Sequence, residues 1–222
     1  MKTATLLCLC FLTFSYSLAA SSEEDVYEYL WENNKDIANM TLGTDFLIQM
    51  QSGSLQAERY VNFTIQDINY LLQVTKMLKK MSVKVTKPSD LRDFMKDTYS
   101  GYKNFADLML KQYFFKGEPL IEQTPAMSKY LSFYRRLERE DPLYFAVGLL
   151  PCSRLWVWLA NNLSTPPTNA YYTWKKDNMD SHPEEDYRDL LNKYLNTPDK
   201  KAMANAIFRT QMQNEHDFFS TS

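Results

Sequence analysis

A thiol and two carboxylates stand out because of the company they keep. Cys152 lies in Leu149-Leu150-Pro151-Cys152-Ser153, inside the most apolar run of the chain beyond its first twenty residues. Pro151 removes a backbone donor and disturbs a helix locally, which exposes carbonyls and leaves room beside the next residue. A thiol placed there can face a cavity. It needs a partner that favours the thiolate, because an ordinary cysteine has a pKa of about 8.5. Asp67 falls in a long apolar stripe with Tyr70 three residues on, and such a pair shares one helix face. Glu215 stands between Met212 and Phe218-Phe219. A carboxylate in an apolar stripe is costly unless it is paired or used. From the pattern alone an inert thiol at a kink and a solvent-facing Asp67 remain competing readings.

The elements that must hold these groups are helices. Apolar residues recur at helical spacing over 24–39, and the chain breaks at Ser52-Gly53-Ser54. Over 55–81, Val61, Ile65, Ile68, Leu71, Leu72, Thr75 and Leu78 make one broad stripe. Pro88-Ser89-Asp90 opens another helix, and a further segment covers about 102–115, stopping near Gly117 and Pro119. Thr124-Pro125 starts a helix that reaches Arg139, with the proline at a tolerated first-turn position. Asp141-Pro142 starts the helix of Cys152, which runs to Leu163. Shorter helices follow over 170–178 and 184–195, and the last, over 199–219, carries Glu215. No alternating strand pattern, repeat or linker occurs, and 5 Gly in 222 residues argue against turn-dense sandwiches and Gly-rich phosphate loops. The expectation is one all-α bundle domain.

The first residues read as an address. Met1-Lys2-Thr3, an apolar run through Tyr16 and the small residues Ser17 and Ala19 predict a secretory signal peptide over 1–19, with the domain over 20–222. The run is too short for an anchor, and no later segment is expected to reach the ~20 apolar residues of a spanning helix. Cys8 and Cys10 would leave with the leader, making Cys152 the sole thiol. It is then buried, paired between chains or chemically active. Sequons at Asn39, Asn62 and Asn162 permit N-glycans on an extracellular protein. A net charge of −2 gives no reason to expect nucleic acid or an anionic membrane as partner. The 2 histidines, His182 and His216, leave little room for a histidine-built metal site, and no metal or cofactor is expected.

Five short motifs, in order, carry a resemblance. Phe46-Leu47-Ile48-Gln49-Met50 with Gly53-Ser54-Leu55 and Arg59-Tyr60 is similar to the opening of the TenA/thiaminase II family. Gln66-Asp67-Ile68-Asn69-Tyr70-Leu71 resembles its Q-D-x-x-Y-L helix, and Leu149-Leu150-Pro151-Cys152 its nucleophile motif. Tyr171 with Trp174 resembles its Y-x-x-W, and Glu215 with Phe218-Phe219 its closing acidic and aromatic cluster. The resemblance spans Phe46 to Phe219 and implies a single-domain, haem-oxygenase-like all-α bundle with a pocket for an aminopyrimidine. It implies Cys152 as nucleophile on the pyrimidine ring and Glu215 as the acid that protonates a ring nitrogen. Asp67 and Tyr70 would hold the polar edge of the ring, with Tyr130, Trp156, Phe46 and Phe218 also around the substrate. A homo-oligomer, the family's tetramer, is implied as well. A thiol, two carboxylates and many aromatics suit a flat heterocycle.

Three positions depart from the pattern. Trp156 stands where the family has Tyr one turn after the nucleophile, Asn178 replaces another Tyr, and a third aligns with Lys129, beside Tyr130. Loss of hydroxyls predicts slower hydrolysis and capture of the pyrimidine by other nucleophiles. The expected function is a secreted thiaminase that passes the pyrimidine to a base or to water; the alternative is a secreted binding protein without turnover. Haem oxygenase chemistry needs an axial histidine on the first mature helix, and none precedes His182. A di-iron carboxylate site fails for the same shortage of ligands.

Overall fold

Apolar spacing of three and four along most of the chain produces helices, and helices with one greasy face must pack on one another. The computed structural model describes residues 24–222, so the expected signal peptide lies outside the described residues. The described residues form ten helices and no strand: α1 (Val26–Glu32), α2 (Lys35–Leu42), α3 (Asp45–Ser52), α4 (Ala57–Lys84), α5 (Ser89–Gln112), α6 (Pro125–Leu137), α7 (Pro142–Asn162), α8 (Tyr172–Asn178), α9 (Pro183–Tyr194) and α10 (Pro198–Thr221). The expected all-α architecture is the observed one.

Polar caps set the starts. Thr124 accepts the Met127 amide at 3.2 Å and Asp141 accepts the Leu143 amide at 2.9 Å, each just before a first-turn proline. Helix α7 lies at the centre, packed against α2, α6, α8, α9 and α10, while α4 and α5 form a long pair beside it. The apolar length of α7 corrects the expectation that no later segment could span a membrane: by length and composition this helix could, yet most of it is buried in the protein core.

Three boundaries differ from those expected. The segment 24–39 is two helices, because the Asn34 side chain is fully buried, capping the Leu30 carbonyl at 2.8 Å and donating also to Asn205. The segments around Gly101 are one helix, α5; a glycine inside a helix weakens it only modestly, and the length of α4 lies against it. The residues 45–52, read only as a motif, form α3, which stops at Gly53 with φ +75°, a left-handed conformation suited to glycine.

Candidate active site

Helix α4 presents Tyr60, Phe63, Asp67 and Tyr70 along one face, at spacings of three and four. Opposite stand Cys152, Ser153 and Trp156 of α7, with Tyr102 and Phe105 of α5 and Trp174 of α8 closing the sides. Between them is a cavity of about 770 Å³. Eight aromatic residues contribute to its wall.

Asp67 is 8 % exposed, borders the cavity and has no hydrogen-bonding partner among the described residues. Burial, with the Glu215 charge nearby, pushes its carboxyl up to about 7. An unpartnered acceptor of this kind is available to a ligand's N–H groups. Tyr70 belongs to a relay: its hydroxyl meets that of Tyr134 at 2.9 Å, and Tyr134 donates to the Gly148 carbonyl at 2.9 Å.

Glu215 is 1 % exposed and does not line the cavity; it lies directly behind the wall. Tyr130 donates to one carboxyl oxygen at 2.5 Å and the Trp156 indole N–H to the other at 3.0 Å. Burial raises its pKa, and the donors Tyr130, Trp156 and Cys152 oppose that rise. Cys152, part-buried, is the free thiol of the described residues. Burial and then the Glu215 charge push it well above the usual range, while the Tyr70 hydroxyl works the other way. The site therefore holds a thiol facing a carboxyl that can take its proton.

The structure thus brings together Cys152, Asp67, Tyr70 and Trp156 on the cavity, with Glu215 and Tyr130 one layer behind. Phe46 and Phe218 do not reach it. Both pack behind Phe63, with ring centroids 4.7 Å away in each case, and so set the position of that ring. Lys129 points outward to an ion pair with Asp217 at 2.6 Å, and Tyr130, not Lys129, turns inward to Glu215. One of the three apparently lost hydroxyls is therefore present. Other motif residues are structural: Gln66 accepts the Thr124 amide and donates to the Glu122 carbonyl, and Arg59 ties Asp45 and Gln49 to the Ser222 carbonyl.

Sequence reasoning missed Tyr134, Phe63 and Tyr102. Continuing the row of Asp67 one turn back gives Phe63, and continuing that of Tyr130 one turn forward gives Tyr134; Tyr102 had no such signal. Trp174 also lines the cavity, and its buried indole N–H has no partner, which leaves a donor for an acceptor atom of a ligand.

The helical bundle and its walled cavity define the TenA-like fold. A TenA homologue from P. horikoshii OT3 superposes with a TM-score of 0.68 at 21% identity, over 89% of this chain and 98% of that one. A TenA family transcription regulator from Silicibacter gives 0.75 at 14% identity, over 90% and 96%. A putative TenA-like thiaminase from Sulfolobus solfataricus P2 gives 0.57 at 18% identity, over 87% and 93%. No family model matches the sequence, and no curated protein does. At such identities the likeness establishes the fold.

Proposed function

We propose that this chain is a secreted thiaminase, cleaving thiamine between its aminopyrimidine and thiazolium rings. The observation that carries the reading is the placement of Cys152 and the unpartnered Asp67 on one cavity, with the doubly held Glu215 directly behind its wall. Asp67 accepts hydrogen bonds from the pyrimidine's amino edge, beside Tyr70. The Cys152 sulfur adds to the pyrimidine ring, and the thiol proton passes to Glu215 and on to a ring nitrogen. The C–N bond to the thiazolium then breaks, and its electron pair leaves with a neutral thiazole. A nucleophile adds to the methylene carbon, and loss of the cysteine restores the ring. The width of the cavity favours a second small molecule beside the pyrimidine, so base exchange competes with hydrolysis. The sequons fit secretion: Asn39, Asn62 and Asn162 are all exposed.

Incubation of the purified protein with thiamine, with and without added pyridine, tests this. Free thiazole is expected in both cases, and a pyridine adduct in the second. Cys152→Ser should abolish release while leaving the fold intact. Thiamine bound without thiazole release would instead establish the binding protein, and full activity after stoichiometric thiol labelling would remove Cys152 from the chemistry.

A further inference from the structure

The lining of the cavity is as informative for what it lacks. Among the described residues around it there is no Lys, Arg or His, whereas two carboxylates, Asp67 and Asp177, are present. Asp67 is deep, unpartnered and more than nine-tenths buried. Asp177 stands exposed on α8 at the mouth and lines the same cavity as Tyr60, whose phenol is raised by burial first and then by neighbouring charges that include Asp67 and Asp177. The nearest lysines on α8 are directed elsewhere: Lys175 donates to the Leu163 carbonyl at 2.6 Å, and Lys176 does not line the cavity. The lining that they share includes the aromatic rings of Tyr60, Phe63, Trp156 and Trp174. Such faces attract cations and give an anion nothing in return.

We infer that the cavity is a charge-selecting site, in which Asp177 at the mouth and the aromatic walls recruit a cationic heterocycle and exclude its phosphorylated forms. This deepens the reading above and rests on it for the identity of the cation, the thiazolium of thiamine. A phosphate chain attached to the thiazole side would extend toward Asp177 with no basic side chain to meet it. Like charges brought together without a counter-ion are strongly disfavoured, and specificity of this kind comes as much from repulsion as from attraction. The site would act on thiamine itself and leave thiamine mono- and diphosphate intact.

Quenching of the cavity tryptophans, Trp156 and Trp174, reads binding in a Cys152→Ser background where turnover is stopped. Thiamine is expected to bind at least about tenfold more tightly than its diphosphate. Asp177→Asn should weaken thiamine about two- to fivefold and leave a neutral aminopyrimidine unchanged. Asp177→Lys should narrow or reverse the preference against the monophosphate. An N-alkylpyridinium and a benzoate, compared in parallel, separate this inference from the thiaminase reading. If thiamine fails to bind but the pyridinium is preferred over benzoate in an Asp177-dependent way, the assigned function falls and the charge selection stands. Equal binding of thiamine and its diphosphate, or an Asp177→Lys variant with unchanged preferences, would overturn it.

Discussion

Trp156 does two jobs with one ring: its face walls the cavity against Phe63, 5.8 Å away between centroids, and its N–H holds Glu215. A tryptophan N–H can only donate, so it favours the charged carboxylate and cannot accept a proton from the acid. Trp156→Phe keeps the aromatic surface and deletes that donor. The pKa of Glu215 should then rise further, since a donor that favours its charged form is lost. Carbon NMR titration of the labelled carboxyl checks the shift, and activity should fall more on the acid side of the pH profile than on the alkaline side. An unmoved titration would show that Tyr130 alone sets the carboxylate. This link was not legible in the sequence. Its two ends are 59 positions apart on different helices, and only the crossing of α7 and α10 brings them together. The choice between Lys129 and Tyr130 was legible: Met127, Tyr130, Tyr134 and Leu137 keep one helical phase and are all buried, and Lys129 falls outside it.

Among the elements, α7 decides where the chemistry sits. Gly148 permits its close approach to α6: a β-carbon there would fall 2.5 Å from Leu137 Cδ1. Leu137 is wholly buried and has little room to yield. Gly148→Ala should therefore destabilise by about 1–3 kcal/mol despite the better helix former, because overpacking outweighs a propensity gain of under ~1 kcal/mol. The same substitution at Gly101, where a β-carbon would meet nothing within 4 Å, should stabilise by about 0.5–1 kcal/mol. Urea unfolding of the two variants should give opposite signs; a stable Gly148→Ala protein would show that α6 and α7 can move apart. Long periodic helices such as α4, α6 and α10 were readable because their apolar stripes and caps agree. The failures came where a local residue or tertiary packing outweighed the period. Asn34 interrupts the first helix by capping backbone that the pattern would have continued. The segments opened at Pro88 and over 102–115 were read apart, yet packing of α5 along α4 carries one helix through Gly101. Gly53 ends α3 after only eight residues, too few for a period to establish itself.

At the scale of the whole molecule, a site with two buried carboxyl groups leaves a mark on stability. The surface carboxylates Asp36, Asp90 and Asp93 are paired with cations, which lowers their pKa values. They favour the fold above the unfolded carboxylate range and lose that contribution as pH falls through their native values, below about 4. Asp67 acts in the opposite sense. Its pKa rises from 3.8 to about 7 on folding, so between those values the native protein holds a proton that the unfolded chain has released. Stability must then fall as pH rises from about 4 to about 7, and level off once Asp67 is ionised in both states. Glu215, raised by the same burial, adds to the decline. The expected profile is a maximum in mildly acid solution, with neutral pH on the falling side. Asp67→Asn removes the ionisation and keeps the shape, so its loss of stability from pH 5 to pH 8 should be smaller than the parent's by on the order of 2–4 kcal/mol. Urea denaturation at the two pH values, for parent and variant, measures the difference directly. Saturating thiamine should flatten the parent's profile in part, since donors from the pyrimidine favour the ionised Asp67 that burial penalises. Parallel pH profiles for parent and variant would show that Asp67 is already ionised at acid pH, and that the cavity around it is wetter than its aromatic walls imply.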